Sequence, residues 1–214
     1  MAALLRALKP KLSCGPDGIP PYALRQLAPS LAAPLSDLFL SILASRRPPD
    51  QFLPTIVTPV FKRKLPKTSP ANYRPVGVAS AFARLFESLL NQQLLEHLES
   101  NNLLSCRQFG FRKNRSTVAQ MIECLDDWTT DISAGRNVSC IYTDFKAAFN
   151  KPTFPKLFAQ LECLGIGGQF LEILMNYVPF RSSCVKVGNI LSPSFDLKSG
   201  AVQGSPLAST LFLC

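Results

Sequence analysis

One short run sets the terms for the whole chain. Val138 to Thr143 is rich in β-branched and aromatic residues, and it delivers a single carboxylate, Asp144, at its C-terminal end. A strand here, with Phe149 five residues on and helical spacing after that, predicts a fold that mixes sheet and helix. In such folds ligands collect at the carboxyl ends of strands, which places an acid there well for a metal. The plainer role for the same residue is a turn or a helix cap.

The 214 residues, 47% of them hydrophobic, suffice to bury one large core or two small ones. A formal net charge of +9 points to a polyanionic partner, either nucleic acid or an acidic membrane surface. Seven cysteines are spread from Cys14 to Cys214 without a C-x-x-C pair, and His97 is the single histidine, which argues against a zinc site. Scattered thiols suit a reducing compartment, and Arg6 breaks the apolar opening, so the expected location is intracellular, nucleus or cytoplasm, and not secreted. Pro29, Pro34 and Asp37 interrupt the apolar run from Leu27 to Ala44, so no membrane span is expected.

Residues 9–21 read as a turn-rich loop, followed by a helix stripe through Leu31, Leu35, Leu38, Phe39, Ile42 and Leu43 that ends at Arg46-Arg47-Pro48-Pro49. Thr55 to Phe61 reads as a strand. Six basic residues and no acid lie between Lys62 and Phe86, including Lys62, Lys64 and Arg74. A solvated face explains any one of them, but a concentrated positive field at a strand end is how a site holds phosphates. Arg74, between Tyr73 and Pro75, is the best pre-organised for a bidentate contact. A long helix follows (Phe82 to Leu98), and then a second acid-free basic stretch in which Gln108, Phe109, Phe111, Arg112, Lys113 and Arg115 interleave aromatic and cationic side chains. Bases stack on aromatic faces while guanidinium groups meet phosphates, so this composition suits a single-stranded template; the plainer reading plugs the two phenylalanines into the core.

Ser116 or Thr117 caps a helix whose expected core side is Val118, Met121, Ile122, Leu125, Trp128 and Ile132, with Asp126-Asp127 on its solvated surface. Beyond Asp144 the spacing predicts a helix through Phe154 to Leu164 stopped by Gly165, a helix through Phe170 to Val178, and a tight hairpin at Gly188-Asn189. Lys198 to Pro206 is a Gly-rich turn that lets backbone approach a ligand and presents the amide of Gln203.

Five of these pieces, in this order, resemble the reverse transcriptase of a non-LTR (LINE-like) retrotransposon: Ser13 to Pro20, Val60-Phe61-Lys62 leading to Asn72-Tyr73-Arg74-Pro75-Val76, Gln108 to Arg112, Tyr142 to Phe149, and Ser199 to Ser205. The resemblance implies an α+β fold, the fingers and partial palm of a right-hand polymerase, with an antiparallel sheet and packed helices, truncated before the thumb. It implies residues 1–54 as a helical extension of the fingers, 55–137 as fingers with basic loops and 138–214 as partial palm. It implies that Asp144, with the carbonyl of Phe145, binds catalytic Mg²⁺ in a two-metal site. Lys62, Lys64 and Arg74 then hold the incoming triphosphate, Phe149 screens out a ribose 2′-OH, and Gln203 lies beside the nucleotide. Gln108, Phe109, Arg112, Lys113 and Arg115 meet the template.

The implied partners are an RNA template, a DNA primer and a dNTP. Asn150 stands where the family usually has a second Asp, and Val202 replaces a usual proline. The (Phe/Tyr)-x-Asp-Asp segment is missing, since Glu162, Glu172 and Asp196 are the only acids beyond Asp144. The metal site is therefore expected to be incomplete and the chain inactive alone, with an open apolar edge over residues 195–213. The competing reading is a non-enzymatic nucleic-acid-binding remnant.

Overall fold

The computed structural model describes residues 1–145 and 148–214; Lys146 and Ala147, inside the Asp144 motif, lie outside the described residues. Three helices open the chain, α1 (Ala2–Arg6), α2 (Pro21–Gln26) and α3 (Ala28–Ser45). A hairpin follows, β1 (Pro54–Phe61) and β2 (Tyr73–Ala79), and then two long helices, α4 (Ala81–Ser100) and α5 (Thr117–Ser133). The C-terminal half carries α6 (Phe154–Cys163), α7 (Gly168–Tyr177), strands β3 (Ser182–Val187), β4 (Ile190–Leu191) and β5 (Phe195–Asp196), and α8 (Ala208–Leu213).

The expected α+β class holds, but the sheet is mixed rather than antiparallel. Its order is β2-β1-β3-β4, with β5 also pairing β3, and β1 runs parallel to β3 over Pro54–Val57. The long helical connection between β1 and β3 gives the chain room to return in the same direction, which a hairpin cannot do. Within the β1–β2 hairpin Pro59 faces Pro75. The Lys62 amide donates to Asn72 O (2.8 Å), and alternation from that bond makes Pro59–Pro75 a pair that needs no N–H.

Phe86 of α4 is the hub of the core, with ring centroids 5.5 Å from Phe39, 6.0 Å from Phe52 and 6.0 Å from Tyr177. The Ser80 hydroxyl accepts from the Ala83 amide (3.0 Å) to cap α4, whose buried stripe runs Ala83, Glu87, Leu90, Leu94, Leu98. Gly165, at φ 77°, closes α6: its amide donates to Glu162 O (2.9 Å) and the Ile166 amide to Leu161 O (3.0 Å), a paired C-terminal closure that favours glycine. His97 Nε2 lies 2.9 Å from Leu164 O and ties the end of α4 to the same corner. Among the described residues α3 is the one helix long and apolar enough to cross a membrane, and its Ala28, Leu35, Phe39 and Ile42 are buried in the core.

Three further expectations fail. Residues 138–143 form no strand: they pair with none of the five strands, and Ile141 is 87% exposed. β-propensity describes fitness for a pleated surface and needs a neighbouring ladder to act on. The apolar side of α5 is not core; Val118, Met121, Ile122, Leu125 and Ile132 are exposed and the helix buries no residue. Its amphipathic spacing and its cap (Ala119 amide to Ser116 Oγ, 3.1 Å) form the helix without deciding what covers it. Asp126 and Asp127 are exposed as expected. Finally, the apolar edge expected over 195–213 is largely closed, because Leu207 and Leu211 are buried in the core beside α4. We expect Leu125→Glu to change unfolding free energy by less than about 0.5 kcal/mol, against about 2–5 kcal/mol for Leu94→Ala, measured by urea denaturation.

Candidate nucleotide and template site

The β1–β2 hairpin presents Lys62, Arg63, Lys64, Lys67 and Arg74 on exposed backbone with no acid among them. Its loop is held by its own polar groups: Lys62 Nζ donates to Ala71 O (2.9 Å), Asn72 Nδ2 to Pro66 O (2.9 Å) and the Tyr73 hydroxyl to Lys67 O (2.9 Å). Lys62 is thus partly spent on the loop. Lys64 and Arg74 are exposed, and among the described residues neither side chain has a hydrogen bond or ion pair.

The Gly-rich turn packs against the free edge of β2. The Gly77 amide, pointing away from β1, donates to Gln203 O (2.7 Å). A Cβ on Gly77 would sit 2.2 Å from Val202 Cγ1, and one on Gly204 (φ 110°) 2.6 Å from Gly77 O, so both positions need glycine for this approach. From its other side the turn reaches the Phe149 segment, where the Ala201 amide donates to Phe149 O (2.8 Å) and the Gly200 amide to Pro152 O (2.7 Å). Gln203, Phe149 and the strand that carries Arg74 therefore meet. Beside them a groove of about 400 Å³ runs between the sheet and the turn, lined by Val57, Gly77, Ser183, Lys198 and Gln203 among others.

Asp144 is exposed on irregular backbone rather than at a strand end. The Phe145 ring lies 6.4 Å from Phe212, Phe212 lies 5.2 Å from Phe149, and Phe149 lies 6.1 Å from Phe111. These four aromatics link the Asp144 segment, α8 and the loop that carries Phe111. Among the described residues no three His, Cys, Asp or Glu side chains are grouped to hold a metal.

In the basic aromatic loop around Gln108 to Arg115 the polar side chains mostly serve the loop. Arg112 forms a two-pronged ion pair with Glu99 (Nε–Oε1 2.8 Å) and donates to Ser105 O (2.7 Å). Arg115 lies over the Phe109 ring (5.0 Å) and donates to Cys106 O (2.5 Å), and Gln108 Nε2 donates to Gly110 O (3.1 Å). Lys113 is exposed, and among the described residues its side chain has no hydrogen bond or ion pair. Phe111, at φ 61°, is half exposed and outside the core.

The Arg112 guanidinium, chiefly through its hydrogen bonds, holds the Glu99 carboxyl below its ordinary value. A depressed acid contributes stability at neutral pH that is lost as pH falls through its folded value. We therefore expect proteolysis within residues 105–112 to quicken below the ordinary carboxylate range in the native chain, and to be fast and insensitive to pH in that range in Arg112→Ala.

Residues that the sequence reading did not single out lie under the turn. Glu87 is fully buried (0% exposed) and ion-paired with Arg181; it accepts from the Tyr177 hydroxyl (2.7 Å) and the Ser205 hydroxyl (2.5 Å), while Arg181 also donates to Thr55 Oγ1 (2.9 Å). One signal was legible: an acid at a core position of the α4 stripe demands a buried partner.

The comparisons with known proteins agree on one family. The family model described as reverse transcriptase (RNA-dependent DNA polymerase) matches residues 65–214. The probable RNA-directed DNA polymerase from transposon BS of Drosophila melanogaster is 25% identical over 208 residues, covering 97% of this chain and 23% of that protein. The probable RNA-directed DNA polymerase from transposon X-element of the same fly is 23% identical over 82% of this chain and 19% of its own length. The RNA-directed DNA polymerase from mobile element jockey of Drosophila funebris is 22% identical over 98% of this chain and 23% of its own. The chain thus spans about a quarter of the length of these relatives.

Proposed function

The chain belongs to the reverse transcriptase (RNA-dependent DNA polymerase) family, of the non-LTR retrotransposon kind, and from that membership we propose that it forms the fingers and part of the palm of an intracellular right-hand polymerase that copies RNA into DNA. Residues 1–54 extend the fingers, 55–137 are the fingers proper and 138–214 belong to the palm. The observation that carries this reading is the meeting of β2, the Gly-rich turn and the Phe149 segment through the Gly77–Gln203 and Ala201–Phe149 backbone bonds. It supports one nucleotide site with Arg74, Lys64 and Lys62 toward the triphosphate, Gln203 beside the nucleotide and Phe149 against the sugar. Template contact falls to exposed Lys113 and to the surface that Gln108, Phe109, Arg112 and Arg115 shape. An RNA template, a DNA primer and a dNTP are the partners.

The family's Mg²⁺ would polarise the reacting phosphate and activate the primer hydroxyl. Asp144 and the Phe145 carbonyl provide one carboxylate and one carbonyl, which does not complete an oxygen shell for two hard cations. These 214 residues therefore bind nucleic acid without polymerising. A second reading, a nucleic-acid-binding remnant without catalysis, is favoured by the solitary Asp144.

Both readings require RNA binding driven by counterion release. Affinity for single-stranded RNA is expected to fall steeply with salt, and replacing Lys62, Lys64, Arg74 and Lys113 by Gln should flatten the log–log slope by about 0.7 per phosphate contact removed. Affinity that stays flat across the salt range overturns both.

A further inference from the structure

The Gly-rich turn is held at its edge by backbone, and a side-chain bond from the core reaches it from below. Glu87 spends Oε1 on Arg181 and the Tyr177 hydroxyl, and Oε2 on the Ser205 hydroxyl at 2.5 Å. Ser205 is the hinge between turn and helix: its amide donates to Val202 O (3.0 Å), and its carbonyl accepts from the Ala208 amide (3.3 Å) at the start of α8. We propose that Glu87 is a positioning residue for the nucleotide site, its buried carboxylate setting the height of the 199–206 turn through Ser205 and so the place of Gln203 against β2. This deepens the proposed nucleotide reading and rests on it for its functional consequence.

Two features favour positioning over plain core pairing. The carboxylate is divided: one oxygen serves the core ion pair, the other the turn. The turn is also built to tolerances that a small rise would break, since Gly204 and Gly77 leave no room for even a Cβ between them. A displaced turn loses the Gly77–Gln203 bond, and with it the register between Gln203 and the strand of Arg74. On the far side of the same turn, Ala201 would release Phe149 O. Charge-assisted hydrogen bonds of this kind fix geometry more firmly than neutral ones.

Glu87→Gln strands Arg181 and risks unfolding, so the decisive variant is Ser205→Ala, which keeps the ion pair. Amide hydrogen exchange on the 214-residue chain reads the turn directly. Ser205→Ala should speed exchange at Gly77 and Ala201 at least tenfold while leaving Leu90 and Leu94 unchanged. Ser205→Thr should restore protection, and Tyr177→Phe, which removes a donor only from Oε1, should leave it intact. Unchanged exchange at Gly77 in Ser205→Ala overturns the proposal, as does a uniform rise that includes Leu90. Binding of Mg·dGTP is read in parallel on the same variants. Loss of protection with a tenfold weaker dGTP affinity supports the positioning role in full. Loss of protection in a chain whose wild type binds no dGTP keeps the device and refutes the nucleotide reading instead.

Discussion

Primer extension on an RNA template is expected to give no product from the 214 residues alone with Mg²⁺ or Mn²⁺. A longer polypeptide that adds the (Phe/Tyr)-x-Asp-Asp segment of the family is expected to extend the primer and to lose about 10³-fold or more on Asp144→Ala. Two divalent ions a few ångströms apart need several carboxylates to offset their charge and to align the attacking and leaving oxygens. Asp144 is one carboxylate on exposed backbone, and no cluster completes it among the described residues. A single ligand leaves the second ion hydrated and unplaced, and placement supplies most of the rate in phosphoryl transfer. Each factor of ten is about 1.4 kcal/mol, so 10³ corresponds to losing several kcal/mol of charge stabilisation. Robust synthesis by the unextended chain would sink the claim of inactivity. Activity that survives Asp144→Ala in the longer form would remove Asp144 from the site.

Glu87→Ala is expected to be the most damaging single change to stability, by about 3–5 kcal/mol, because it leaves the Arg181 guanidinium buried without its counter-charge. Tyr177 and Ser205 would lose an acceptor in the same step. A marginally stable domain has about 5–15 kcal/mol in all, so this change alone can unfold the chain at moderate temperature. The double replacement Glu87→Met with Arg181→Leu should recover most of the loss, since an apolar pair of similar volume carries no desolvation cost. Chemical denaturation of the three proteins measures this directly. A cost below about 1 kcal/mol for Glu87→Ala would mean that water reaches Arg181 and that the network is not the tie between α4, β3 and the turn.

Burial pushes the Tyr177 hydroxyl well above its ordinary value, with the Glu87 charge adding to the effect. The hydroxyl therefore stays protonated and donating across the working range of pH.

The local elements were legible in the sequence because their signals are local. Ser80 and Ser116 announce the starts of α4 and α5, Gly165 the stop of α6, and Gly188-Asn189 the β3–β4 turn, each by a hydrogen bond or a φ angle that a few neighbouring residues decide. The family was legible too, because five short motifs in order need no tertiary information. What only the tertiary structure decided is pairing and cover. Val138 to Thr143 has strand composition but no ladder, and α5 has an apolar stripe but nothing upon it, because propensity and periodicity say what a segment can bury and never what lies opposite. Arg112 and Glu99 look like any two surface charges until the loop folds back and joins them. Glu87 and Arg181, 94 residues apart, make one buried charge pair for the same reason. A carboxylate's desolvation is set by the whole core around it, and that core exists only once α4, α7, the sheet and the Gly-rich turn have closed on one another.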